Sequence, residues 1–396
     1  MLLSKRKTLP LINALLTLGL LTLSLSAVWA QPAKRRAATP SAAFEQLVQR
    51  ATAARQADKL DEAVRLYQQG LKQKPTWVEG WWALGTIYYQ LDRYTEGRAA
   101  FQRLVVLEPK SGVGWAFLGL CEYQCREYPN ALAHLQRARE LGLGASEEIA
   151  AVARYHAAIL LNKFEQFELA FAVLTEIAKT QKESPALIEA FGLTMLRMAY
   201  LPAEIPADKR EIVIKTGRAA WLGAADQRPA AQQEYSELLA AFPRTPNVHY
   251  AYGVFLLRDA PDEAMQEFKK EIEISPDHIF ARLQIAFEAI KRNDHAAGLP
   301  YAEEAVKRAP NLFAAHNALG RILLETGQTE RAIRELEIGV KQAPDSPEMY
   351  FALARAYSKA GRKAEADRAR AEFMRLDKIR RAGKENMVGD KPEAKP

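Results

Sequence analysis

Apolar residues recur along this chain at helical spacing, in paired stripes. Between Trp81 and Pro109, one stripe carries Trp81, Leu84, Tyr88 and Leu91, with Gly85 on the same face. A second stripe carries Gly97, Phe101 and Leu104, and Gly85 leaves room for that second helix to come close. Pro109 ends the unit, because proline brings no donor and disfavours helix in the residue before it. An antiparallel pair of this kind cannot bury its own apolar face, so it needs neighbours stacked on both sides.

The neighbours are visible in the same register. An earlier pair, about Phe44 to Pro75, places Leu47 and Ala54 on its first helix and Ala63, Tyr67 and Gly70 on its second. A later pair places Trp115, Leu118 and Gly119 against Ala131, Leu135 and Ala138. After a short addition at Gly144 to Ala150, a weaker pair is marked by Ala157, Ala158, Leu161, Ala170, Leu174 and Ile177, with its phase slipped. From Pro185 the pattern loosens: Leu201 to Pro206 breaks the chain, and the helix over 185–200 has no evident partner. Regularity returns with Tyr252, Gly253 and Phe268, in a repeat one residue short in its inner turn, and runs on through Leu319, Gly320 and Leu336 to Tyr357 and Ala366. Arg368, Arg370 and Arg375 make the last helix polar, as a water-facing cap requires.

The spacing W-x-x-L-G-x-x-Y over Trp81 to Tyr88, with Gly97, Phe101 and Pro109 following, resembles the tetratricopeptide repeat family. The resemblance implies an all-α, right-handed superhelical solenoid of antiparallel helix pairs, interrupted near the middle. Its expected parts are a signal segment at 1–30, a linker at 31–42 and an array of about four repeats at 43–184. An irregular section at 185–245 carries a degenerate repeat, a second array of about four repeats follows at 246–382, and 383–396 is a disordered tail.

Composition changes this picture at the ends. Lys5, Arg6 and Lys7 precede an apolar run from Leu9 to Val28 and the small-x-small site Val28-Trp29-Ala30, which reads as an export signal cleaved before Gln31. The alternative is an uncleaved membrane anchor, since the run approaches the roughly 20 apolar residues that span a bilayer. Periplasmic or secreted localisation follows from cleavage, and membrane attachment only from its absence. The formal charge is +7; without the three leading cations it is about +4, too small and scattered to point to nucleic acid. Cys121 and Cys125 are the only cysteines and lie four apart on one helix. Their Cβ atoms are then about 5 to 6 Å apart, too far for a disulfide.

No catalytic, cofactor or metal constellation stands out. The six histidines show no zinc-binding spacing, and His249 and His316 occupy the place of the tryptophan, where a packed ring is the simpler role. What remains is a surface. The resemblance places the inner face of the first helices at Trp82, Thr86, Tyr89 and Gln90, then Phe117 and Tyr123, then Tyr155 and Asn162. Beyond the irregular section it gives Tyr250, Arg258, Phe280, Phe287, Asn317, Arg321 and Phe351. Aromatics and arginine favour protein contacts. The expected function is a non-enzymatic scaffold binding a peptide or helix of a partner protein in its concave groove. The alternative is an assembly or tethering subunit that works through its edges or convex face, including as a homo-oligomer. A row ending the first helices, among them Gln90, Lys163, Arg197, Arg258 and Lys291, fits helix termini better than a basic stripe.

Overall fold

The computed structural model describes residues 42–143 and 147–388, with side chains through residue 381. The export signal, the lead-in before residue 42 and the end of the tail lie outside the described residues. Among them the chain is all helix, in two compact units that divide after Leu161.

Unit 1 holds α1 (Ala42–Gln56), α2 (Leu60–Gln73), α3 (Val78–Gln90), α4 (Tyr94–Leu107), α5 (Gly112–Gln124), α6 (Tyr128–Leu141) and all but the last two residues of α7 (Glu147–Lys163). Consecutive helices pack antiparallel as pairs, α1 on α2, α3 on α4 and α5 on α6. A Cβ on Gly85 would sit 2.8 Å from the Phe101 ring, so only glycine admits that ring at full depth. Phe101 itself is fully buried. The turns repeat as strictly as the cores: Asp58, Asp92 and Arg126 each adopt positive φ, at intervals of 34 residues. The addition expected at 144–150 is already helical from Glu147.

Unit 2 begins with the end of α7 and contains α8 (Phe167–Ala178), α9 (Pro185–Met195), α10 (Arg210–Ala224), α11 (Arg228–Ala241), α12 (Val248–Leu256) and α13 (Pro261–Ile274). Then come α14 (Ile279–Lys291), α15 (His295–Arg308), α16 (Phe313–Glu325), α17 (Thr329–Gln342), α18 (Pro347–Lys359) and α19 (Lys363–Val388). Here the left-handed turns fall at Glu165, Arg197 and Asp226, spaced unevenly, before Asn293, Gly327 and Gly361 resume the interval of 34. The pair α12 and α13 lacks such a residue in its turn.

The count of helices between residues 185 and 245 is odd, and α9 does find a partner. It packs on α10 with the backbones in contact, since a Cβ on Gly192 would overlap the Val213 carbonyl and one on Gly217 the Ile188 carbonyl. α10 also packs on α11, so it serves two neighbours. Two short 3-10 turns, Pro202–Glu204 and Ala207–Lys209, replace the usual tight turn between α9 and α10. The C-terminal helix departs from expectation twice. It runs to Val388, past the expected start of the tail at Gly383, and it exposes Met374 and Ile379 among its arginines.

Candidate partner-binding surface

Five of the residues expected on the inner face are buried and cannot meet a partner: Thr86, Phe117, Asn162, Tyr250 and Asn317 expose between 1 and 7 % of their area. Each has a structural reason. Phe117 stacks on Phe101 with ring centroids 5.2 Å apart and receives the edges of Trp82 and Tyr89. The Thr86 hydroxyl donates back to the Ala83 carbonyl and takes an N–H from Arg55. Asn162 donates from its amide to the carbonyls of Met198 and Tyr200, which ties down the chain where α9 gives way to the 3-10 turns. Tyr250 lies against His278, and Asn317 is enclosed within α16 and its neighbours.

The others stay accessible to different degrees. In unit 1, Trp82, Tyr89, Tyr123 and Tyr155 are half-buried and Gln90 is exposed. Trp82 and Tyr89 are braced on one side by Phe101, Phe117 and Tyr94, and Tyr123 and Tyr155 both set ring edges near the buried His156. Fixed rings with one open side can gain contact area at little entropic cost. Burial depresses His156 to about 4, so its ring is neutral and its Nδ1–H donates to the Val152 carbonyl.

In unit 2 the expected set does not converge. Arg258 is exposed and paired with Asp226 at 2.8 Å. Phe280 is covered by the Arg197 guanidinium, 3.9 Å from its ring, and Arg197 also lies 4.6 Å from Phe167 and bonds Glu168. Phe287 packs on the C-terminal core, Arg321 is half-buried with its pKa lowered by burial and by Arg355, and Phe351 is 52 % exposed beside Phe373. Of the row at the ends of first helices, Gln90, Lys163 and Lys291 are final helical residues, whereas Arg197 and Arg258 lie two residues beyond their helices.

The histidines in the tryptophan place repeat the tryptophan's bond. Trp81 and Trp115 donate their ring N–H to the carbonyls of Pro75 and Pro109, six residues back, at 2.8 and 3.0 Å. His249 and His316 bring Nε2 to the carbonyls of Pro243 and Pro310, again six residues back. Their Nδ1 atoms meet the carboxylates of Glu267 and Glu335. Both partners of each ring are acceptors, so both bonds form together only in the imidazolium. Burial opposes the charge on His249, but Glu267 and Pro243 outweigh it and raise the pKa. For His316 the bond to Glu335 is the main cause of the rise.

Two features of unit 2 were not expected. The first is a buried polar joint at the start of α12, where Glu271 accepts N–H bonds from Asn247 and Tyr250 at 2.8 and 3.2 Å. Asn247, in a left-handed conformation, donates to the Leu196 carbonyl and accepts from Nε2 of a neutral His278. The sequence signal was Glu271 itself, a charge where other second helices carry a small residue such as Ala138 or Ala305. The second is a cavity of about 600 Å3 against the small residues Ala220, Gly223 and Ala224 of α10.

A stack of antiparallel helix pairs with these core positions is a tetratricopeptide-repeat architecture, and the chain carries such repeats in both units. Tetratricopeptide repeat family models match residues 48–112 and 218–279, and a further one matches residues 289–350. Repeats of this type are generally protein-interaction modules and typically non-catalytic. Among solved structures, "MamA RS-1 ArsTM double mutant" and "MamA 41-end from Desulfovibrio magneticus RS-1" are each 19 % identical, with a TM-score of 0.38 over 42 % of this chain and 96 % of theirs. "Crystal structure of MamA" is 17 % identical, with a TM-score of 0.36 over 44 % of this chain and 95 % of that one. No curated protein matches the chain.

Proposed function

We propose that the protein is an exported, non-enzymatic scaffold that holds an extended peptide or a helix of a partner protein against the first helices of unit 1. The observation that carries this is the run of half-buried aromatics Trp82, Tyr89, Tyr123 and Tyr155 on α3, α5 and α7, each in contact with another ring and partly accessible. Gln90, exposed at the end of α3, adds a donor and acceptor for a bound backbone. Export rests on the basic, apolar and small-x-small order of residues 5–30.

A photoreactive residue at position 89 is expected to crosslink one predominant protein in envelope extract, identified by mass spectrometry. Trp82→Ala together with Tyr123→Ala should weaken binding to that protein by about 30-fold or more, the scale of hot-spot aromatics. Unchanged binding by the folded double variant would count against the surface. The assembly alternative has its own support in the apolar C-terminal edge, where Phe351, Met374 and Ile379 are more than half exposed. Light scattering of the purified chain separates the two: a concentration-dependent dimer abolished by Phe351→Lys favours assembly.

A further inference from the structure

A cavity lies against α10 in unit 2. It exists because α10 is small where other first helices are large. Ala220, Gly223 and Ala224 stand in the places that Thr86, Tyr89 and Gln90 occupy on α3, counted from Ala219 and Gly85, which both lie twelve residues before the small residue of the next helix. The walls are Phe171, Met195, Tyr235 and Phe255, so the interior is apolar and aromatic. A volume of about 600 Å3 is within the usual range for ligand sites.

Two polar features mark it as more than a packing gap. Tyr235 is 1 % exposed and lines the cavity, yet its hydroxyl has no hydrogen-bond partner among the described residues. The hydroxyl is not fully enclosed, so water in the cavity can reach it, and an occupant with an acceptor would take that water's place. The mouth presents three cations, Lys179, Arg228 and Arg258, and one carboxylate, Asp226. Asp259 and Glu176, which pair with Arg228 and Lys179, do not line the cavity. Arg228 is held with its guanidinium 4.0 Å from the Phe255 ring and an N–H on the Phe255 carbonyl, so it is a fixed donor. Arg258 and Lys179 sit in exposed pairs, which exchange carboxylate partners at little cost.

We infer that this cavity is an anchor site for an aromatic side chain flanked by carboxylates in an acidic segment of a protein partner. The ring fills the space over Ala220, Gly223 and Ala224, its polar edge or adjoining carbonyl accepts from Tyr235, and the flanking carboxylates lie among Lys179, Arg228 and Arg258. This rests on the scaffold function proposed above, and it adds a second, chemically distinct contact in unit 2.

Met195 lines the cavity and reports directly on it. With the full chain labelled at its methionine methyls, and the Met195 signal assigned through Met195→Leu, acetyl-Glu-Trp-Glu-amide should shift that signal saturably. Acetyl-Lys-Trp-Lys-amide and acetyl-Glu-Ala-Glu-amide should bind at least about tenfold more weakly. Ala224→Trp, which fills the space, should abolish the shift, and Arg258→Glu should weaken it about tenfold. If Ala224→Trp fails to fold by circular dichroism, Ala224→Leu takes its place and should still weaken binding. An unmoved Met195 signal, equal binding of the three peptides, or undiminished binding by the folded filled variants overturns the site. Crosslinking from position 89 does not pass through this cavity, so either result can fail while the other stands.

Discussion

The helices α3 to α6 and the helices α9 to α13 are built from the same kind of unit and held in different ways. In the first region the helices meet through shape: Phe101 over Gly85, Phe117 over Phe101, and turns at intervals of 34 residues. In the second, turn spacing is uneven and the joints are closed by buried polar groups, Glu271 on two backbone N–H groups and Asn247 between Leu196 and His278. Apolar packing has a graded cost when a side chain changes, because neighbours can partly collapse. A hydrogen-bonded joint fails more abruptly, because every unpaired buried group is left at full desolvation cost.

That contrast can be broken most directly by substitutions of similar bulk. Glu271→Leu should cost about 3 kcal/mol or more, since the N–H groups of Asn247 and Tyr250 lose their acceptor in a fully buried place. Phe101→Leu should cost only about 1 to 1.5 kcal/mol. Denaturant unfolding of the full chain, followed separately in each unit, measures both; equal costs would erase the distinction.

Proton titration gives a second comparison, of opposite sign in different repeats. His156, in unit 1, has its folded pKa lowered to about 4, so it contributes stability above the ordinary histidine value of about 6.5 that is lost as pH falls toward 4, about 3 kcal/mol at most. His278 acts in the same sense in unit 2, lowered to about 4 by burial and by Arg197. His249 and His316 are raised, so their contribution is complete below about pH 6.5 and disappears as pH rises through their folded values. The unfolding midpoint of unit 2 should therefore fall as pH rises above about 6.5 and through the folded values of these two rings, and His249→Gln with His316→Gln should remove that fall. Lys270 and Glu271 also face His249, and replacing Lys270 should raise the His249 pKa further.

Arg126 holds φ at 62° in an exposed turn, a conformation that disfavours side chains. Arg126→Gly should stabilise unit 1 by about 0.5 to 1 kcal/mol, visible as a higher denaturant midpoint.

Much of the fold was legible because its information is local. Trp81, Leu84, Gly85, Tyr88 and Phe101 lie where helical periodicity and one small residue place them, and their burial needs only the existence of a neighbour. The candidate surface was legible in part. Trp82, Tyr89, Tyr123 and Tyr155 stay partly accessible, while Phe117 and Thr86, expected on the same face, are buried. Whether a ring on that face reaches solvent depends on lateral packing against the next first helix, and no periodicity within one helix encodes it.

The helical pairs, their 34-residue rhythm and the place where the rhythm fails can be read along the chain, because periodic apolar residues, glycines and prolines act on their immediate neighbours. That α10 serves two partners, that Glu271 caps a helix not its own, and that Ala220, Gly223 and Ala224 border a cavity also lined by Tyr235 emerges only in three dimensions. Those outcomes depend on which elements meet across the chain, and buried hydrogen bonds and vacant volume belong to such meetings.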